Sequence, residues 1–296
     1  MSRKILITGC KGQLGTDLVG SIGRDNDVIG IDIDDVDLRD FTLVESFIQA
    51  KEPDIIIHAA AYTDVDGCES NRERAMAVNA GGTENIARVC RLIGAKLIYY
   101  STDYVFDGKK GSPYREEDVP NPQTIYGRSK FEGEERIRNI LDDFIILRIA
   151  WVYGAHGNNF VKTMIKLGKE QIARKQQGLL ISPLRVVNDQ IGTPTWTMEI
   201  VKQTRIAIEN NLVGLFHSTA EGATSWYSFA QAVFDELSMR VELMPCTTEE
   251  YPHMAPRPKY SVLENHRLKK LGLNKMDDFR ASLRQFLSEN ETLPGL

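Results

Sequence analysis

The feature that most constrains this chain is a rhythm in its first half, where short apolar runs are separated by amphipathic stretches. Lys4 to Thr8, Asp27 to Ile31, Asp54 to His58, Lys96 to Ser101 and Phe144 to Ile149 are rich in Ile, Leu, Val and Tyr. They have the length and composition of strands buried on both faces. Between them Leu14 to Ile22, Phe41 to Ala50, Arg72 to Ile93 and Ile125 to Ile140 carry helical spacing. Alternating strands and helices predict an α/β fold, a doubly wound parallel sheet with helices on both faces.

From Trp151 the rhythm loosens. A helix from Phe160 to Arg174, a loop-rich stretch from Ser182 to Thr195 and a helix reaching Glu209 come first. The strand-like Leu215 to His217 follows, then amphipathic stretches at Ser225 to Leu237 and Asp277 to Leu287. Val241 to Leu243 and the proline-containing Tyr251 to Pro258 lie between those two. At about 150 residues per domain, 296 residues suggest two units. The expected division is 1–150 as a nucleotide-binding domain and 151–296 as a smaller lobe, with 213–219 returning to the first.

Composition removes several classes of function. The chain has 42% hydrophobic and 26% charged residues, the balance of an ordinary globular protein. Lys and Arg number 36 against 41 Asp and Glu, a net charge of -5, so no basic surplus favours nucleic acid or an anionic membrane. Cys10, Cys68, Cys90 and Cys246 lie too far apart for a metal-ligand pair or a disulfide framework, which fits a reducing compartment. Met1-Ser2-Arg3-Lys4 runs straight into Ile5-Leu6-Ile7, too short a run for a signal segment, and no span long enough for a membrane helix occurs. A cytoplasmic location is expected. His58, His156, His217, His253 and His266 show no pairing suited to a metal, so none is assigned, and His58 on its apolar run reads as a core histidine.

The first chemical signal is Thr8-Gly9-Cys10-Lys11-Gly12-Gln13-Leu14-Gly15, directly after the first strand and opening the first helix. Glycines there let the backbone turn tightly and approach a diphosphate, whose charge meets the amides of the helix N-terminus. Asp32 follows Gly9 by 23 positions, where an acid can hold a ribose hydroxyl, although Asp34, Asp35, Asp37 and Asp40 crowd the same segment. Together these indicate a Rossmann-type dinucleotide site. Lys11 could meet a 2′-phosphate while Asp32 would repel one, so NADPH and NADH both stand as cofactors.

The second signal is Tyr126-Gly127-Arg128-Ser129-Lys130. Tyr and Lys four apart share a helix face, so an ammonium can lower the phenol's pKa and ready it for proton transfer. Upstream, Tyr99 to Phe106 ends the fourth strand, so Thr102 can present its hydroxyl at the carboxyl edge of the sheet.

With these residues the chain resembles the extended short-chain dehydrogenase/reductase family. The glycine motif, Ala59-Ala60-Ala61, Asn79, Thr102 and the Tyr126/Lys130 pair match in order across the first half. A narrower resemblance, to the dTDP-4-dehydrorhamnose reductase family, spans nearly the whole chain. It rests on Ala59 to Asp66, Ser101 to Gly108, Trp151 to Gly154, Gly157 to Phe160, Asn188 to Thr195 and Arg257-Pro258.

That resemblance implies hydride transfer from NADPH or NADH to the C4 ketone of dTDP-6-deoxy-L-lyxo-4-hexulose, giving dTDP-L-rhamnose. It implies that Tyr126 protonates the C4 oxygen, that Lys130 lowers the Tyr126 pKa and holds the nicotinamide ribose, and that Thr102 hydrogen-bonds the carbonyl. Gly9, Gly12, Gln13, Leu14 and Gly15 would meet the diphosphate, Asp37 and Leu38 the adenine, Asp32 a ribose, and Ala59, Ala60 and Ala61 the nicotinamide side. Sugar and thymidine contacts would come from Val65, Thr102, Asp103, Tyr104, Trp151, Asn159 and Arg257. From the residues alone, Trp151 and Tyr104 serve equally well as core aromatics, and Arg257 between prolines as a surface arginine. A homodimer fits the family. A nucleotide-sugar dehydratase is disfavoured because Asp103 is followed by Tyr104 rather than glutamate. An epimerase using the same Thr, Tyr and Lys, or a non-catalytic nucleotide-binding subunit, are the alternatives.

Overall fold

The computed structural model describes residues 2–290. Six parallel strands form the central sheet in the order β2-β1-β3-β4-β5-β10: β1 (Lys4–Thr8), β2 (Asp27–Ile31), β3 (Ile55–His58), β4 (Lys96–Thr102), β5 (Phe144–Ile149) and β10 (Gly214–His217). This is the doubly wound parallel sheet that the alternation predicted. Strand β10 arrives from far along the chain and pairs with β5 through Gly214 beside Ile145 and His217 beside Arg148.

The alternation of side chains along each strand divides the core in two. From β1, Leu6 enters the cluster under α2 (Phe41–Gln49), α5 (Thr83–Ile93) and α6 (Ile125–Ile140). Its neighbours Ile5 and Ile7 enter the cluster under α1 (Gln13–Ile22), α8 (Thr197–Glu209) and α10 (His266–Lys270). Each such side chain contributes about 1.5–3 kcal/mol when fully buried. Side chains start most of the long helices: Asp40 accepts from the Leu43 amide, Thr124 from Gly127, and Ser225 from Ser228 at α9 (Trp226–Glu236). Helix α1 differs, because Gly12 precedes it and gives no side-chain cap.

The stretch read as one helix from Arg72 to Ile93 is wound in three parts: α4 (Arg72–Met76), a π-helical turn over Ala77–Gly82, and α5. Asn79 in that turn donates to Ser129 Oγ at 2.9 Å and exchanges two hydrogen bonds with the backbone of Tyr62. The wider turn therefore ties the loop after β3 to α6. Short α3 (Val65–Ser70) precedes it.

Beyond Trp151 lie β6 (Val152–Tyr153), α7 (Phe160–Gln176), β7 (Leu184–Val187), β8 (Ile191–Gly192), β9 (Thr195–Trp196), β11 (Thr224–Ser225), β12 (Leu243–Cys246) and α11 (Phe279–Glu289). The region expected to be loop-rich thus holds three short strands. Their partners lie far off in sequence: β7 pairs with β12, β8 with β11, and β9 with β6. Tyr153, Trp196, Phe229 and Phe286 centre a separate core between α7, α9 and α11. Among the described residues no helix is long and apolar enough to cross a membrane, and no group of His, Cys, Asp and Glu could hold a metal ion.

Candidate active site

A cavity of about 1380 Å³ opens along the carboxyl ends of the sheet strands and is closed on its far side by segments beyond Trp151. It lies where strand order reverses around β1, the place at which doubly wound sheets leave a crevice.

The turn after β1 is shaped by close packing. Gly9 has φ +68°, and a side-chain carbon there would sit 2.7 Å from the backbone of Ala60. One on Gly15 would come within 1.9 Å of the Gly9 carbonyl oxygen. Only glycine permits this turn. The first turn of α1, Gln13 to Gly15, lines the cavity with no side chain capping its start, which leaves that helix end suited to an anion. Beneath it the Thr8 hydroxyl joins His58 Nδ1 at 2.7 Å and His58 Nε2 joins Thr83 at 3.1 Å. Burial, reinforced by Lys130, pushes His58 down to about 3, so this ring is neutral and serves packing.

Asp32 stands at the end of β2 with both oxygens engaged, one by the Lys11 amide at 2.9 Å and the other by the Ile33 amide at 2.8 Å. Lys11 turns its ammonium to Asp34 at 2.6 Å. Asp37 holds Arg39 in a two-pronged pair, at 2.9 Å from Nε and 2.6 Å from Nη2. Lys11 and Arg39, the two cations lining this part of the cavity, are therefore already paired. Asp37, Leu38, Ala59, Ala60 and Ala61 all line the cavity.

Thr102 is the last residue of β4, and its hydroxyl donates to Asp103 Oδ1 at 3.1 Å and accepts from the Tyr104 amide at 3.2 Å. Burial pushes Asp103 up to about 6, against the lowering by the neighbouring Ser261 and Thr102 hydroxyls. Tyr126 enters from the first turn of α6. The close approach depends on Gly127, where a side-chain carbon would lie 2.1 Å from the Tyr104 carbonyl oxygen. Burial raises the Tyr126 phenol, with Asp103 and Tyr104 adding to it and the neighbouring Thr102 hydroxyl working against it. The phenol is protonated at neutral pH, and the lowering by Lys130 expected from the sequence is not found among the groups that act on it. Tyr104 meets it edge-on, with ring centroids 5.6 Å apart.

Lys130, one turn further along α6, is 3% exposed and lies 4.1 Å above the centre of the Tyr99 ring. Burial pulls it down to about 7, while Glu134 on the next turn pulls it up. Glu134 is itself held by Arg148 of β5 through two bonds, of 2.8 and 2.7 Å.

A family model described as the RmlD substrate binding domain matches residues 3–292. The chain belongs to that family. It is similar to the spore coat polysaccharide biosynthesis protein SpsK of Bacillus subtilis, 39% identical over 98% of each chain. It is also similar to dTDP-4-dehydrorhamnose reductase of Aggregatibacter actinomycetemcomitans, 38% identical over 88% of this chain and 90% of that one. Among solved structures, dTDP-4-dehydrorhamnose reductase from Bacillus anthracis in complex with NADP superimposes with a TM-score of 0.92 at 38% identity, covering 98% of this chain and 100% of that one. These findings agree with the resemblance drawn from the motifs.

Within this family member, Val65, Asp103, Tyr104, Trp151 and Arg257 line the cavity, and Asn159 does not. Asn159 instead caps α7 through the Lys162 amide at 3.1 Å and donates to Gln13 Oε1 at 2.9 Å and Gly154 O at 2.8 Å. Its side chain is taken up by these bonds and fixes Gln13, which does line the cavity. Trp151 has φ +45° and stacks on Trp226 with ring centroids 3.5 Å apart and planes 4° from parallel. Gly192 approaches so closely that a side-chain carbon there would lie 2.3 Å from the Trp151 ring. Trp151 is thus packed on Trp226 and Gly192 while reaching the cavity.

Sequence reasoning missed Trp226, Gln190, Arg185, Tyr62 and Arg74 on the cavity wall. Trp226 could have been noticed as a tryptophan opening an amphipathic helix just after the cap residue Ser225. Its indole Nε1 donates to Gln190 at 3.2 Å. Arg74 lies 5.0 Å over the Tyr62 ring, a pairing that no local pattern announces. Arg185 lies on β7, in the stretch read as loop, and pairs with Glu250 at 2.5 Å.

Proposed function

We propose that this chain reduces the C4 ketone of dTDP-6-deoxy-L-lyxo-4-hexulose to dTDP-L-rhamnose, using NADPH or NADH. The observation that carries the reading is the meeting of Thr102 and a protonated Tyr126 at the strand edge, between the glycine turn and the wall that holds Trp151 and Arg257. The names of the similar reductases support it. The division into 1–150 for cofactor and 151–296 for sugar, with 213–219 shared, belongs to the same proposal, as do a homodimer and a cytoplasmic location.

A dinucleotide suits the turn at Gly9–Gly15, where Gly12 brings no side chain between the backbone and a diphosphate and α1 begins uncapped. When bound, a reduced nicotinamide supplies the hydride that the ketone carbon accepts. The chain's own residues handle the oxygen. Thr102 donates a hydrogen bond to the carbonyl, and Tyr126 gives up its proton to that oxygen as negative charge develops. Lys130 stabilises the phenolate left behind, and its low pKa in the free cleft rises once an anion is beside it. Asp32 would repel a 2′-phosphate on the adenosine ribose while Lys11 and Arg39 would attract one, so the site admits both NADPH and NADH.

The test is to supply dTDP-4-keto-6-deoxyglucose with and without a 3,5-epimerase, follow loss of reduced nicotinamide for each cofactor, and identify the sugar. Turnover that needs the epimerase and yields dTDP-L-rhamnose is expected. Equal turnover without it would mean that the unepimerised sugar is the substrate, and stoichiometric nicotinamide surviving gel filtration would favour the epimerase reading.

A further inference from the structure

Arg257 reaches the cavity from a stretch that has no regular structure of its own between Tyr251 and Pro258. Neither a strand nor a helix orients it. What does hold it comes from the opposite end of the chain. Arg257 Nη2 donates to Asp66 Oδ2 at 2.7 Å, and the same carboxylate accepts from the Ala255 amide at 2.8 Å through Oδ1. His253 Nδ1 lies 3.5 Å from Oδ2, and Ser70 Oγ donates to Met254 Sδ at 3.1 Å. Burial pushes the Asp66 carboxyl up, but the Ala255 amide, Arg257 and His253 outweigh it and hold it below its usual value, so it is charged at neutral pH.

Asp66 is itself well placed. It is the second residue of α3, beside Val65 on the cavity wall, and Asp64 caps that helix through the Gly67 amide at 2.9 Å. Glu69, on the same helix, accepts from the Ile125 amide at the start of α6 at 2.9 Å. The guanidinium is therefore referenced through α3 to the helix that carries Tyr126. Of its five N–H groups only two have a partner among the described residues, to Asp66 and to the Ala255 carbonyl at 3.5 Å. The others remain for an anion.

We propose that Asp66 is the positioning residue for Arg257, setting the guanidinium where it meets the diphosphate of the nucleotide sugar. The proposal rests on the reading of Arg257 as a contact for that substrate. It competes with a simpler role, in which Asp66 merely neutralises Arg257, and the two roles differ in sign. A neutralising carboxylate weakens anion binding, so its removal tightens it. A positioning carboxylate strengthens it, so its removal loosens it.

The experiment measures the dissociation constant of dTDP, and KM and kcat for the sugar, in Asp66→Asn, Arg257→Ala and the double variant. Asn retains an oxygen for the Ala255 amide. Asp66→Asn is expected to weaken dTDP about fivefold and raise KM similarly, with kcat and cofactor affinity unchanged. Arg257→Ala is expected to cost about tenfold or more, and the double variant no more than Arg257→Ala alone. Tighter or unchanged dTDP binding in Asp66→Asn, or a full further loss in the double variant, overturns the proposal. An Arg257→Ala variant that binds dTDP normally would instead sink the parent reading of Arg257. Should Asp66→Asn fold poorly, Asp66→Glu keeps the charge one methylene further out and is expected to weaken dTDP by a smaller factor; no loss there overturns the proposal equally.

Discussion

The wall formed by Gly9 to Gly15, Ala59 to Ala61, Thr102 and the Tyr126 helix draws its groups from strand ends of one sheet or from the helices packed on it. The facing wall collects Trp151, Arg185, Trp226 and Arg257 from segments that share no element. On the first wall, backbone hydrogen bonds and close glycine contacts set positions, so a side chain is placed once its strand is placed. On the second, one side chain positions another: Trp226 supports Trp151, and Asp66 reaches Arg257 across 191 residues of sequence. The first wall can be rigid while its substituents change, whereas the second is only as well placed as its contacts.

Three measurements test that contrast. The largest effect belongs to the sheet-side wall. Tyr126→Phe removes the proton donor and leaves the ring packed against Tyr104, so turnover is expected to fall about a thousandfold while cofactor affinity stays within about twofold. Unchanged turnover would mean that the phenol does not carry the proton. Next comes Trp226→Ala, which strips the stacking partner from Trp151 and should raise KM for the sugar about three- to tenfold, with cofactor affinity untouched. If titration shows cofactor affinity dropping by the same factor, the two walls are not separable.

The smallest effect is one of stability. The Lys130 pKa is depressed to about 7 in the fold and is 10.5 as the ordinary value, so between those pH values the unfolded chain holds a proton that the fold has released. Lys130 thus costs stability in full below pH 7, and the cost fades as pH rises to 10.5. Lys130→Met should melt higher at pH 6, by about 2–4 °C for each kcal/mol recovered, and the gap to the parent protein should close at high pH. A constant gap across pH, read by calorimetry, would show that packing rather than charge burial is responsible.

The sheet-side wall was legible in the sequence because its signals are local. Five strands, the turn at Gly9–Gly15 and the Tyr126/Lys130 spacing each fit within a dozen residues, and each has a physical reason that does not depend on the rest of the chain. Asn79 shows the limit. The sequence placed it in a helix, but only the π-helical turn lets it clamp the loop after β3 to Ser129. Ser182 to Thr195 read as loop for a related reason, since strands β7 and β8 exist only because β12 and β11, some thirty or more residues later, lie beside them. Asn159 carried a motif and was expected at the sugar. Its side chain instead caps α7 and bonds Gln13, which lines the cavity.

By itself, then, the sequence determined the parallel sheet, the glycine turn and the order of Thr102, Tyr126 and Lys130, because strand burial, turn sterics and helical spacing act between near neighbours. Tertiary structure alone decided which face of Trp151 is covered, which acid holds Arg257, and that Lys130 is buried deeply enough to lose much of its basicity. Those outcomes depend on contacts between residues tens to hundreds of positions apart and on how far water is excluded around them, and neither quantity is written in a local pattern.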